Sequence, residues 1–139
     1  MKITELLSKD TILLHMDGSQ KEEAINQLVD VLYKAEKISD CGAFKAEIVK
    51  REQLSTTGIG DGIAIPHAKT KAVKKAAIAF GKSVSGINYE ALDNKPSHLF
   101  FMIAAPEGAN NTHLDALARL SRNADESRGS LSAFNSNNS

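Results

Sequence analysis

The chain has too few cysteines to cross-link itself. Cys41 is the one cysteine in 139 residues, so no internal disulfide can form, which suits a reducing compartment. It also lacks an excess of charge of either sign, because 17 Lys and Arg balance 17 Asp and Glu. That balance removes the electrostatic reason to expect nucleic acid or an anionic membrane as a partner. Long apolar runs are missing too. The opening M-K-I-T-E-L-L-S-K-D is broken by Glu5 and has no signal-peptide centre. No stretch approaches the ~18 apolar residues of a membrane span. The expectation is a soluble, cytoplasmic chain. The histidines, His15, His67, His98 and His113, show no H-x-x-x-H spacing, and Cys41 has no C-x-x-C partner, so a zinc site is not expected. T-G-I-G-D-G follows a helix pattern and precedes a strand pattern, the wrong order for a dinucleotide-binding turn. The Lys-Ser/Thr of a P-loop is absent as well. No cofactor is expected, and there are no internal repeats.

Against these absences stand an apolar fraction of 42% and a charged fraction of 24%, near the globular average, in a length suited to one domain. Residues 3–8 can make a short helix, and T-I-L-L-H-M (11–16) has the look of a strand. After the Asp17-Gly18 turn, Ser19 and Glu22 form an S-x-x-E capping box. Ile25, Leu28, Val29, Leu32 and Ala35 then follow helical spacing to about Lys37. Ser39-Asp40 offers a second N-cap, before a helix marked by Phe44, Ile48 and Val49 and reaching about Leu54. S-T-T-G-I-G-D-G (55–62) reads as a loop, and I-A-I-P-H-A as a short strand that Pro66 interrupts at an edge or end. Residues 76–81 and 98–105 read as strands, the second so continuously apolar that both its faces are expected to be covered, as in a layered α/β domain. Thr112 and Asp115 open a last helix with Leu114, Leu117 and Leu120. Beyond Ser121 the pattern collapses, so 1–122 is expected to be the domain core and 123–139 a frayed tail.

His67 lies next to the glycine-rich segment at the end of an apolar strand. Pro66 stiffens the backbone that carries it, and Gly58, Gly60 and Gly62 allow close approach of a ligand or partner. A stiff, neutral imidazole beside accessible backbone donors suits a phosphoryl acceptor. A histidine that merely ends a strand, with the glycines serving a turn, satisfies the same spacing. His113 falls in the first turn after Thr112, where the helix dipole favours anions and disfavours imidazolium. It can donate a hydrogen bond to a phosphoryl oxygen there, or be an ordinary first-turn residue. Arg51, just before the glycines, can bind phosphoryl oxygens in a bidentate manner or be a surface arginine. His15 and His98 read as structural or surface residues. Lys69, Lys71, Lys74 and Lys75 read as a solvated basic loop that can also meet an acidic partner.

Two segments together carry a family resemblance. R-E-x-x-S-T-T-G-I-G-D-G-I-A-I-P-H-A-K-T (51–70) resembles the active-site segment of fructose/mannitol-type enzyme IIA domains of the bacterial phosphoenolpyruvate-dependent sugar phosphotransferase system. P-E-G-A-N-N-T-H-L-D-A-L-A-R-L-S (106–121) resembles the family's second segment, and the wording around His67 is closer to fructose-specific members. The resemblance implies a single α/β domain with a mixed parallel/antiparallel sheet flanked by helices on both faces. It implies that His67 accepts a phosphoryl group from phospho-HPr and passes it to a cysteine of an enzyme IIB domain. That domain phosphorylates the sugar entering through a membrane-embedded IIC domain. His113 would be the supporting hydrogen-bond donor and Arg51 the supporting phosphoryl-binding residue. The alternative is a regulatory, nitrogen-related enzyme IIA homologue, which switches protein partners on phosphorylation. After Ser121 this chain departs from the leucine-rich ending of the family.

If His113 donates to the phosphoryl group, His113→Gln keeps a donor of similar reach and His67 still becomes phosphorylated. His113→Ala removes a hydrogen bond to a charged group, worth about 1.5–3 kcal/mol. Transfer measured by rapid quench should then slow roughly 10- to 150-fold. Equal rates in His113→Ala and the parent would make His113 an ordinary first-turn residue.

Overall fold

The computed structural model describes residues 7–108. The helix expected from Thr112, His113 within it, the tail at 123–139 and most of the short helix at 3–8 lie outside those residues. Leu7 and Ser8 lead instead into a 3-10 turn, Lys9–Thr11.

The alternation of side chains along two long strands sets the architecture. Strand β5 (Ala77–Ile87) and strand β6 (Ser97–Pro106) pair antiparallel, with Ile78 opposite Ile103, Ala79 opposite Met102 and Phe80 opposite Phe101. On one face Ala77, Ala79, Phe100, Met102 and Ala104 are buried. On the other Ile78, Phe80, Phe101 and Ile103 are buried with Ile63 and Ile65. The Phe80 and Phe101 rings sit 5.4 Å apart, tilted by 54°. Burial of both faces explains why the β6 sequence runs almost continuously apolar. The sheet is mixed and, among the described residues, has six strands. Strand β1 (Ile12–Leu13) joins β5 in parallel, and β3 (Ile63–Ala64) joins β6 in parallel and carries β2 (Gly58–Gly60) at the edge. Strand β4 (His67–Thr70) also pairs with β6 in parallel.

Among the described residues, two helices pack on the first face. Helix α1 (Lys21–Lys34) buries Ala24, Ile25, Leu28, Val29 and Leu32, and helix α2 (Cys41–Leu54) buries Phe44 and Ile48. The start of α1 corrects the expected capping box. Gln20, not Ser19, is the N-cap, and the carboxylate that turns back is that of Glu23, accepting from Ser19 N at 3.1 Å and Gln20 N at 3.2 Å. Glu22 points across to α2 and pairs with Lys45 at 3.2 Å. The helix also stops short of Lys37, because Glu36 is left-handed (φ 61°) and Lys37 N donates to Leu32 O at 2.9 Å, closing a Schellman end. The cap of α2 is as expected, with Asp40 Oδ1 accepting from Ala43 N at 3.0 Å. The strand expected over 11–16 shrinks to two residues because Thr11 belongs to the 3-10 turn, although Met16 N still reaches Lys82 O at 3.0 Å. No helix among the described residues is long and apolar enough to cross a membrane.

Gly81 marks the tightest point between α1 and the sheet. A Cβ there would stand 2.9 Å from Leu28 Cδ2 and still closer to the Met16 sulfur. Gly81→Val should therefore lower the unfolding free energy by about 1–3 kcal/mol, as overpacking does. Urea denaturation followed by circular dichroism measures this, and an unchanged midpoint would mean the seam has room to spare.

Candidate functional site

Three of the segments that reach the site come from one short stretch of sequence. Residues Arg51 and Glu52 occupy the last turn of α2, about 100° apart on its surface, so they project to different sides. Arg51 turns outward and its Nη1 donates to Ser55 O at 3.0 Å. Glu52 turns inward. Its Oε1 accepts from Thr57 N at 3.0 Å and pairs with Lys21 Nζ at 2.8 Å. Its Oε2 accepts from Tyr89 OH at 3.1 Å and from the Thr57 hydroxyl. The Glu52 side chain is only 5% exposed, and four donors satisfy a charge that would otherwise be costly to bury. Lys21 Nζ also lies 4.7 Å from the centroid of the buried Tyr89 ring. Burial, and then the Glu52 charge, hold the Tyr89 phenol far above its ordinary range, so it stays a donor.

The glycine-rich segment is not the open loop expected from its composition. Gly58–Gly60 is strand β2, and Asp61 (φ 56°) and Gly62 (φ 76°) turn it back into β3 as a hairpin. An Asp-Gly pair between Ile59 and Ile63 is a hairpin signal, because both central residues of a primed turn need positive φ. Gly58 has a separate reason to lack a side chain: a Cβ would lie 2.9 Å from Ala91 Cα.

His67 begins strand β4 and does not end the strand before it. Ala64 pairs with Phe100 and His67 with Ile103, so the register along β6 is the same on both sides of the Ile65-Pro66 interruption. The Pro66 carbonyl still accepts from Ile103 N at 2.9 Å. Ile65, alternating with the residues that face β6, directs its carbonyl away from that strand, and His67 Nδ1 lies 2.8 Å from it. A carbonyl can only accept, so Nδ1 carries the proton and neutral His67 keeps a free lone pair on Nε2.

Half-buried His67 shares a cleft of about 250 Å³ with Glu47, Lys50, Arg51, Leu54 and Lys69. Leu54 stands 80% exposed at its rim. Burial lowers the His67 pKa first. The Ile65 hydrogen bond and the Glu52 charge oppose that shift, while the Arg51 charge adds to it. The net direction is downward, so the ring is neutral at pH 7.

Sequence reasoning thus marked two residues, His67 and Arg51, that the fold brings to one cleft. Its third candidate, His113, lies outside the described residues. His15 is exposed after β1, and His98 is held elsewhere, its Nδ1 2.9 Å from Ser83 O, beside a hollow of about 480 Å³ lined also by Asp61, Asp93 and Lys95. Of the lysines read as one loop, Lys69 is on β4, while Lys71, Lys74 and Lys75 are exposed in the turn that follows. Burial, and then Asp30 and Asp40, push the Cys41 thiol up, so it stays protonated. Among the described residues no group of three or more His, Cys, Asp or Glu side chains is placed to hold a metal ion. The network around Glu52 was not foreseen; a glutamate after an arginine on a helix reads as solvated, and only its partners show it buried.

The family model for "Phosphoenolpyruvate-dependent sugar phosphotransferase system, EIIA 2" matches residues 5–138. The chain is 60% identical over 121 residues to the PTS system fructose-specific EIIABC component of Bacillus subtilis, covering 87% of this chain and 19% of that protein. Its fold is similar to the crystal structure of nitrogen regulatory protein IIA-Ntr from Neisseria meningitidis, with TM-score 0.78 and 32% identity over 86% of this chain and 81% of that one. It is also similar to enzyme IIAMTL in its complex with phosphorylated enzyme IIBMTL from Escherichia coli, with TM-score 0.70 and 26% identity over 86% and 81%.

The His67 shift has a pH signature. Its folded pKa lies below the ordinary 6.5 of histidine, so the unfolded chain takes up the proton first as pH falls. The stability associated with neutral His67 is complete above about pH 6.5 and is lost as pH falls through the folded value. Urea denaturation across that window should show the parent losing stability more steeply than His67→Gln. Parallel profiles would show that the imidazole titrates normally.

Proposed function

The chain belongs to the EIIA 2 family of the phosphoenolpyruvate-dependent sugar phosphotransferase system, and on that premise we propose that it carries a phosphoryl group on His67. The observation that carries this reading is the Nδ1 contact with Ile65 O, which leaves Nε2 as the nucleophile on a residue lining the Arg51 cleft. In the accepting step the Nε2 lone pair attacks phosphorus. The bond to the imidazole of phospho-HPr breaks, and that imidazole departs with the electron pair. In the donating step a cysteine thiolate of an enzyme IIB domain attacks phosphorus, and Nε2 recovers its pair. No proton moves at Nε2 in either direction, so the site acts by positioning and by stabilising charge. Arg51 uses one N–H on Ser55 O, and its remaining donors are available to phosphoryl oxygens. His113 supplies a further donor in this reading.

The phosphoryl group is then destined for a sugar, fructose by likeness to the Bacillus protein, entering through a membrane-embedded IIC domain while this domain works in the cytoplasm. A regulatory role, in which phosphorylation switches protein partners, is the alternative suggested by likeness to the nitrogen regulatory protein. The higher identity to the fructose-specific protein favours uptake.

Incubation with enzyme I, HPr and labelled phosphoenolpyruvate should place acid-labile label on the chain. His67→Ala should abolish it, while His15→Ala and His98→Ala retain it. Label persisting on His67→Ala would remove His67 from the reaction.

A further inference from the structure

A continuous set of contacts runs from Glu52 to the imidazole of His67. The Glu52 carboxylate holds Thr57 by both its backbone N–H and its hydroxyl. The same residue's carbonyl accepts from Ile65 N at 2.9 Å. The other end of Ile65, its carbonyl, is the acceptor for His67 Nδ1 at 2.8 Å. Pro66 stands between Ile65 and His67 and donates nothing, so Thr57 is the partner that holds the Ile65 amide where the strand is interrupted. Thr57 in turn lies in the short connection between α2 and β2, whose other hold on α2 is Arg51 on Ser55 O.

We propose that Glu52 is a positioning residue: by clamping Thr57 it fixes the Ile65 carbonyl and thereby selects the Nδ1–H tautomer and ring orientation of His67. Glu52 touches neither the imidazole nor the cleft, and it acts through two residues. Its carboxylate is anchored from the far side by Lys21 of α1 and by Tyr89, so the clamp is braced against both the helix layer and the sheet connection. Two independent features agree with the assignment. A buried carboxylate with four donors is a rigid element, because its lone pairs are used and its rotation would leave donors unpaired. Its negative charge also opposes the effect of neighbouring Arg51 on His67, so loss of that charge should lower the His67 pKa further. The consequence for phosphoryl transfer rests on His67 being the acceptor; the tautomer control does not.

The test is a long-range proton–nitrogen correlation spectrum of the histidine rings in the full chain, recorded above the ordinary histidine pKa and without any phosphoryl donor. The parent should show His67 with a protonated Nδ1 and a bare Nε2. In Glu52→Gln the ratio of the two tautomers should move toward Nε2–H by roughly 3- to 10-fold, the worth of one neutral hydrogen bond. The rate of labelling should fall in proportion to the remaining Nδ1–H fraction. A folded Glu52→Gln chain with the parent's tautomer ratio would overturn the proposal, even if it were less stable. Should Glu52→Gln fail to give a dispersed spectrum, Lys21→Met/Glu52→Gln removes both buried charges together and is read by the same criterion. A shifted tautomer in a chain whose parent takes no label on His67 supports the positioning role and sinks the acceptor role instead.

Discussion

Pro66 cannot donate a hydrogen bond, and the site is built around that missing donor. Strand β6 offers one edge to the segment 63–70, which would be a single strand if every residue could join the ladder. The interruption at Ile65-Pro66 keeps register, so both halves stay attached to a rigid, doubly buried strand. Ile65, alternating with the residues that face β6, turns its peptide groups away from that strand: its amide reaches sideways to Thr57, and its carbonyl reaches back to the imidazole. The rigidity of β6 is thus passed to a side chain through the segment paired beside it.

Adjacent residues of opposite charge then act on opposite sides of that break. Arg51 faces the cleft and makes an imidazolium less favourable, whereas Glu52 lies beneath the connection, outside that cleft, and makes it more favourable. Burial exceeds both and keeps the ring neutral. A neutral ring is the nucleophilic form, and a nearby cation that suppresses protonation also suits an incoming dianion. The last turn of α2 can serve both ends because consecutive helical residues diverge by about 100°.

Helical spacing made α1 and α2 legible, and apolar runs made β6 and the first half of β5 legible, whereas the more exposed second half of β5 up to Ile87 carried no such run. The Asp40 cap was legible because a single side chain closes it. What failed was short or depended on partners. Local spacing allowed both Ser19/Glu22 and Gln20/Glu23, and only the structure shows that Glu23 turns back on the cap while Glu22 pairs with Lys45 on α2. Glycines at 58, 60 and 62 suggested a loop, although an Asp-Gly turn between two isoleucines was already a hairpin signal. At His67 residue type and neighbours sufficed to mark it, but not to show that it opens a strand. Glu52 carried no local mark at all, because a carboxylate is recognised as buried only through the donors that surround it, and those come from α1, from the turn after α2 and from the segment after β5.

The direction of proton traffic follows from the same geometry. On the role proposed for His67, a histidine that both receives and returns a phosphoryl group must present the same nitrogen each time, or each cycle would need a tautomer exchange. A hydrogen bond from Nδ1 to a backbone carbonyl meets that requirement without a general base, since phosphorylation at Nε2 leaves the Nδ1 proton and its acceptor untouched. A carboxylate in the place of that carbonyl would hold Nδ1–H as well, but would raise the pKa and favour the imidazolium, whose Nε2 has no lone pair. A neutral acceptor in a partly buried cleft therefore fixes the tautomer without favouring the imidazolium, and Glu52, whose charge favours the imidazolium, is kept two residues away.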